Sequence, residues 1–149
     1  MTLQEQITKD MKEAMREKDK IRLAALRAVK SALLLMATDS QKKKIEPADE
    51  LKMLQKQVKQ RKDSAEVYKK QNRDDLAEIE LREAEVIESY LPDKLSPEEI
   101  EAEVKKIVDE VNASGMQDMG KVMGVANKKL AGRAEGKDIA DKVKQVLSA

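Results

Sequence analysis

The stretch Gly115-Met-Gln-Asp-Met-Gly-Lys-Val-Met-Gly-Val-Ala-Asn-Lys-Lys-Leu-Ala-Gly-Arg-Ala-Glu-Gly-Lys137 holds all five glycines of a 149-residue chain. Glycine weakens a helix by roughly 0.5–1 kcal/mol relative to alanine, so it is usually placed where a side chain would be in the way. Outside this stretch the chain lacks glycine and repeats its apolar residues at helical spacing. The contrast sets the fold class. Helices are expected everywhere else, with one segment of different character, and no alternating run of Val or Ile indicates a strand.

Composition supports the same reading. Hydrophobic and charged residues each make up 40% of the chain, with two Tyr and no Trp or Phe. A core must therefore be assembled from Leu, Ile, Val, Met and Ala, which suits thin layers of packed helices. The absence of Cys and His removes disulfides, thiolate nucleophiles, most zinc sites and the commonest general base. No metal and no cofactor are expected. The longest apolar run, Ala32–Ala37, is too short to span a bilayer, so no membrane partner is expected. The N-terminus shows no signal-peptide pattern, and a Cys-free chain fits a reducing cytosol, so a cytoplasmic location is expected.

In chain order, Thr2 and Glu5 form a capping box that opens a helix to about Glu17. A second helix spans about Lys20 to Thr38, with Leu26, Val29, Leu33 and Met36 on one face, and is expected to be central. Pro47, Asp49 and Glu50 start a third, to about Gln71, buried along Leu51, Leu54, Val58, Ala65 and Tyr68. Its outer face carries the four-residue pairs Lys59–Asp63 and Glu66–Lys70. Asn72 with Asp75 is expected to cap a fourth, carrying Leu76, Ile79, Val86, Ile87 and Tyr90. Pro92 and Pro97 bracket a boundary, giving a helical domain over 1–92 and a three-helix domain over 96–149. In the latter, Ser96-Pro97-Glu98-Glu99 starts a helix with Ile100, Val104, Ile107, Val108 and Val111 inward. Another spans Met116 to Ala131, and the last spans Lys137 to Leu147.

Within the opening stretch, Met116, Met119, Met123, Ala126 and Leu130 follow the helical period and read as a core stripe rather than a binding face. Gly120 and Gly124 share one face; they serve either close helix packing or close approach of a large ligand. Lys128, Lys129, Arg133 and Lys137 bracket a turn holding Gly132 and Gly136, where a helix start would offer backbone N–H groups to an anion. A solvated charged turn accounts for the same residues. Lys42-Lys43-Lys44 is a second, weaker basic run. No nucleophile elbow or phosphate-binding glycine loop is present, and no carboxylate pair stands out from the charged helix faces.

Asp118-Met-Gly-Lys-Val-Met-Gly124 and Lys129-Leu-Ala-Gly-Arg-Ala-Glu-Gly-Lys137 resemble the helical tail domain of GatB, a component of glutamyl/aspartyl-tRNA amidotransferase. Together with Asp10-Met-Lys-Glu-Ala-Met-Arg-Glu-Lys-Asp-Lys20, Leu54-Gln-Lys-Gln-Val-Lys-Gln-Arg-Lys-Asp-Ser64 and Tyr90-Leu-Pro92, they make nearly the whole chain similar to the stand-alone YqeY-like family. The resemblance implies an all-α protein of two domains: a bundle of about four helices and a three-helix tail. It implies tRNA as partner, contacted by Lys121, Lys129, Arg133 and Lys137, with Gly120, Gly124, Gly132 and Gly136 shaping the surface; Lys128 joins these RNA-binding candidates from its place beside the basic turn. Glu135 departs from the Asp frequent in the family, and a longer acid caps a helix less well. The family's label is glutamine-dependent amido-nitrogen transfer, yet the amidotransferase's phosphorylating cradle and its amidase component have no counterpart in this chain. Three functions stay open: a tRNA-associated accessory protein without catalytic machinery, a component of tRNA amidation (a carbon–nitrogen ligase), or an adaptor for a translation-related protein.

Overall fold

The computed structural model describes residues 1–39 and 44–149; among these there is no strand. Seven α-helices follow in order: α1 Leu3–Glu17, α2 Lys20–Thr38, α3 Pro47–Lys70, α4 Asp74–Glu88, α5 Pro97–Glu110, α6 Met119–Lys129 and α7 Gly136–Ser148. A single 3-10 turn, Met116–Asp118, precedes α6. The all-α expectation is borne out. The chain divides into two compact units, Met1–Leu91 and Pro92–Ala149.

The first unit packs α2 against each of the other three helices. Its core takes Ile7 and Ala14 from α1, Ala25, Leu26, Val29 and Leu33 from α2, Leu54 and Val58 from α3, and Ala84 and Ile87 from α4. The central role of α2 follows from its composition: it buries residues toward three neighbours, so its apolar positions cover more than one stripe.

Local signals set the helix ends. The Thr2 hydroxyl accepts from Glu5 N–H and the Glu5 carboxylate accepts from Thr2 N–H, each at 3.1 Å. At the other end of α1, Lys18 is left-handed (φ 57°), and Asp19 N–H reaches back to Ala14 C=O at 3.0 Å. The Asp19 side chain then accepts from Arg22 N–H and starts α2. Asn72 departs from its expected role. It is the left-handed residue (φ 59°) that closes α3, with Arg73 N–H on Tyr68 C=O at 2.8 Å. Helix α4 begins without a side-chain cap. Asparagine suits both tasks, because its short amide tolerates the left-handed region as readily as it caps.

Helices α3 and α4 form a hairpin whose seam differs from the expected stripe. Leu54, Val58 and Ala65 are buried. Between Val58 and Ala65 the seam carries Arg61, paired with Glu83 of α4 at 3.4 Å, both largely buried. Gln57 donates to Ala28 C=O at 3.2 Å, linking α3 to α2. Nearer the turn, Ala65 and Ala77 bring the two helices close together. Ile79, expected inward, is 41% exposed, because Ala77, Ala84 and Ile87 define the inner face of α4. On the outer face Lys59 pairs with Asp63 at 3.1 Å. No ion pair joins Glu66 to Lys70 among the described residues.

One polar cluster closes this unit. Asp10, 8% exposed, accepts from Tyr90 Oη and from Gln6 Nε2 (3.0 Å), and Arg22 lies 4.0 Å away. Burial, then the hydrogen bond to Asp10 and its negative charge, push the Tyr90 phenol above its ordinary value of 10.0. A raised folded value means that this stabilisation is complete below that ordinary value and lost as pH rises through the folded one. Tyr90→Phe keeps the ring but strips a donor from a buried carboxylate. It should lower stability near neutrality by about 1–3 kcal/mol and flatten the alkaline loss. Denaturant midpoints at about pH 8 and about pH 11, against wild type, check both effects.

The second unit packs Ile100, Val104 and Ile107 of α5 with Val122 and Ala126 of α6 and Ile139, Val143 and Leu147 of α7. Ser96 and Glu99 form the expected box at the start of α5, with bonds of 3.0 and 3.1 Å. At its end, left-handed Asn112 (φ 55°) lets Ala113 N–H reach Val108 C=O at 3.0 Å.

Candidate nucleic-acid interface

Helix α6 begins at Met119 and ends at Lys129, where the sequence predicts Met116 to Ala131. Its buried ridge is Val122 and Ala126, continued by Leu130 just past its end. Met119 and Met123 are only partly buried, and Met116 is 45% exposed. The core reading holds for Ala126 and Leu130; Met119 and Met123 flank the ridge and Met116 lies outside it. The four-residue step from Val122 to Ala126 to Leu130 sets the inward direction, and Met116 precedes the α-helical register altogether.

The same register turns Gly120, Lys121, Gly124 and Lys128 to solvent. A Cβ added at Gly120 or Gly124 would meet no atom within 4 Å. Close helix packing is therefore not the reason for either glycine within this unit. They leave bare helical backbone open beside Lys121 and Lys128.

Gly132 differs. Its φ of 79° is left-handed, and it lets both Arg133 N–H (3.0 Å) and Ala134 N–H (3.2 Å) bond Leu130 C=O. Leu95 N–H donates to Arg133 C=O at 2.8 Å and anchors the turn from the other side. Ala131, Gly132 and Ala134 are buried while Arg133 is exposed, so a fixed backbone projects one guanidinium outward. Glu135 precedes α7 and makes no capping bond. Gly136, which a Cβ would not obstruct, and Lys137 then open the helix with its first-turn N–H groups uncapped.

The five cations are not equivalent. Lys129 Nζ lies 2.6 Å from Glu110 Oε2. Among the described residues, no ion pair holds Lys121, Lys128, Arg133 or Lys137. Arg133 is within electrostatic reach of Glu99. The carboxyl of Glu99 is held below its ordinary value first by the Ser96 backbone N–H, next by the Ser96 side chain, and less strongly by Arg133. Periodicity could not show the Glu110–Lys129 contact, since 19 residues separate the two. Lys42 and Lys43 lie outside the described residues, and Lys44 is exposed. No described helix is long and apolar enough to cross a membrane.

Residues 4–147 match the family described as Yqey-like protein. The chain belongs to the YqeY-like family. Among curated relatives, "Altered inheritance of mitochondria protein 41, mitochondrial" of Lachancea thermotolerans is 36% identical over 110 residues, covering 72% of this chain and 59% of its own. The protein of that name in Vanderwaltozyma polyspora is 34% identical, over 70% of this chain and 58% of its own. That of Pyrenophora tritici-repentis is 29% identical, over 94% and 78%. The chain spans about three fifths of the length of the first two relatives. These names correct the cytoplasmic expectation, since each relative is called mitochondrial. A lack of cysteine fits any reducing compartment and could not separate the two.

The YqeY-like tail thus holds glycines of opposite kinds. Gly120→Ala and Gly124→Ala should each stabilise the protein by about 0.5–1 kcal/mol. Gly132→Ala, forced into the left-handed region, should cost about 1–2 kcal/mol. Thermal or denaturant unfolding of the three variants tests the distinction, and a loss of stability at Gly120 or Gly124 would contradict it.

Proposed function

We propose that this YqeY-like protein is a tRNA-associated accessory protein whose tail unit, Pro92–Ala149, grips the phosphate backbone, and that it performs no catalysis of its own. The observation that carries the reading is the set of exposed cations that, among the described residues, have no ion-pair partner. Lys121 and Lys128 lie beside the bare backbone of α6, Arg133 projects from the Gly132 turn, and Lys137 stands at the open start of α7. A phosphate needs cationic side chains, backbone N–H groups and room to come close. The tail's resemblance to that of GatB supports the choice of tRNA.

Binding of this kind releases counterions. The logarithm of affinity should fall with the logarithm of salt concentration at a slope of about −0.7 to −0.9 per phosphate contact, so four contacts give roughly −3 to −4. Filter binding of unfractionated tRNA over a salt series measures this. Glutamate in place of Lys121, Lys128, Arg133 and Lys137 together should abolish binding while leaving the helical circular-dichroism signal intact. No retention of tRNA by the wild-type chain at low salt would sink the proposal. Amide formation on misacylated tRNA by the purified protein alone would replace it with the amidation reading.

A further inference from the structure

The cation left out of that set is Lys129. Its ammonium is held by Glu110, so the pair bridges the last turn of α6 and the last residue of α5. The two side chains are 48% and 54% exposed, so a ligand can reach them. We propose that Glu110 occupies at Lys129 the position of a ligand phosphate, and so sets how tightly the tail holds an RNA backbone. This rests on the RNA-binding reading above.

The argument is one of competing acceptors. Carboxylate and phosphate both present anionic oxygens to an ammonium, at similar distances. While Glu110 holds Lys129, that lysine has little net charge to offer, and an arriving phosphate meets the carboxylate as well. Exposed ion pairs are weak, so the exchange is reversible: Glu110 tunes binding and does not block it. Lys129 lies in the last turn of α6, where the unpaired carbonyl groups favour a cation. Neutralising Glu110 therefore releases the lysine without removing the reason for its position. The five cations then act as four permanent contacts and one conditional contact.

The test is filter binding of unfractionated tRNA over a salt series for wild type, Glu110→Gln, Lys129→Gln and the double variant. Glu110→Gln should tighten binding about two- to fivefold at low salt and steepen the salt slope by about 0.7–0.9. Lys129→Gln alone leaves the Glu110 carboxylate uncompensated and should weaken binding. Added to Glu110→Gln, it should return the slope to that of wild type. Equal binding by Glu110→Gln and wild type would overturn the proposal while leaving the RNA-binding reading in place. So would a slope left unchanged when Lys129→Gln is added to Glu110→Gln. Absence of binding by both wild type and Glu110→Gln overturns both.

Discussion

A chain with two tyrosines and no other aromatic residue must pack aliphatic side chains against one another. Such side chains contribute area but little directionality, so apolar packing alone leaves helix rotation and sliding loosely specified. In the first unit that specification falls to a few buried or half-buried polar contacts. Asp10 gathers Tyr90, Gln6 and Arg22, tying the end of α4 to α1 and α2. Gln57 holds α3 to the backbone of α2, and Arg61 meets Glu83 across the hairpin seam. Contacts of this kind are costly to leave half-made, which makes a slipped arrangement unfavourable even where its apolar packing is adequate.

The tail unit applies the same economy to a surface. Its core is a thin ridge from each helix, so the opposite side of α6 is free to carry glycine without loss of packing. The left-handed Gly132 turn fixes the path between α6 and α7, and Leu95 anchors it by a backbone bond. Arg133 consequently projects from a hydrogen-bonded turn and Lys137 from the first turn of α7. Glu110 lies at the margin of this surface and, by pairing with Lys129, gives it an internal anion.

Much of this could be read along the chain. The starts of α1, α3 and α5 follow from Thr2, Pro47 and Ser96-Pro97, because a capping hydroxyl or an N-terminal proline acts within a few residues. Asn72 was assigned to the start of α4 but closes α3, since the same amide can end one helix or begin the next. Ile79 and the tail methionines were misplaced because each helix also bears apolar residues off its inner face, and inner from flanking is decided only by what packs opposite. For Gly120 and Gly124, sequence left packing and open backbone as alternatives, because glycine serves both.

By itself, the sequence determined an all-helical protein of the YqeY-like family and the starts of α1, α2, α3 and α5, and it singled out the cations of the tail. These are local matters of propensity, capping and charge, or of recognisable pattern. Only the tertiary structure decided that Arg61 lies inside a seam, that Asp10 receives Tyr90 from 80 positions away, and that Lys129 is already engaged by Glu110. Each depends on which faces meet when helices distant in sequence pack, and that is settled by the summed burial of a whole unit rather than by any one segment.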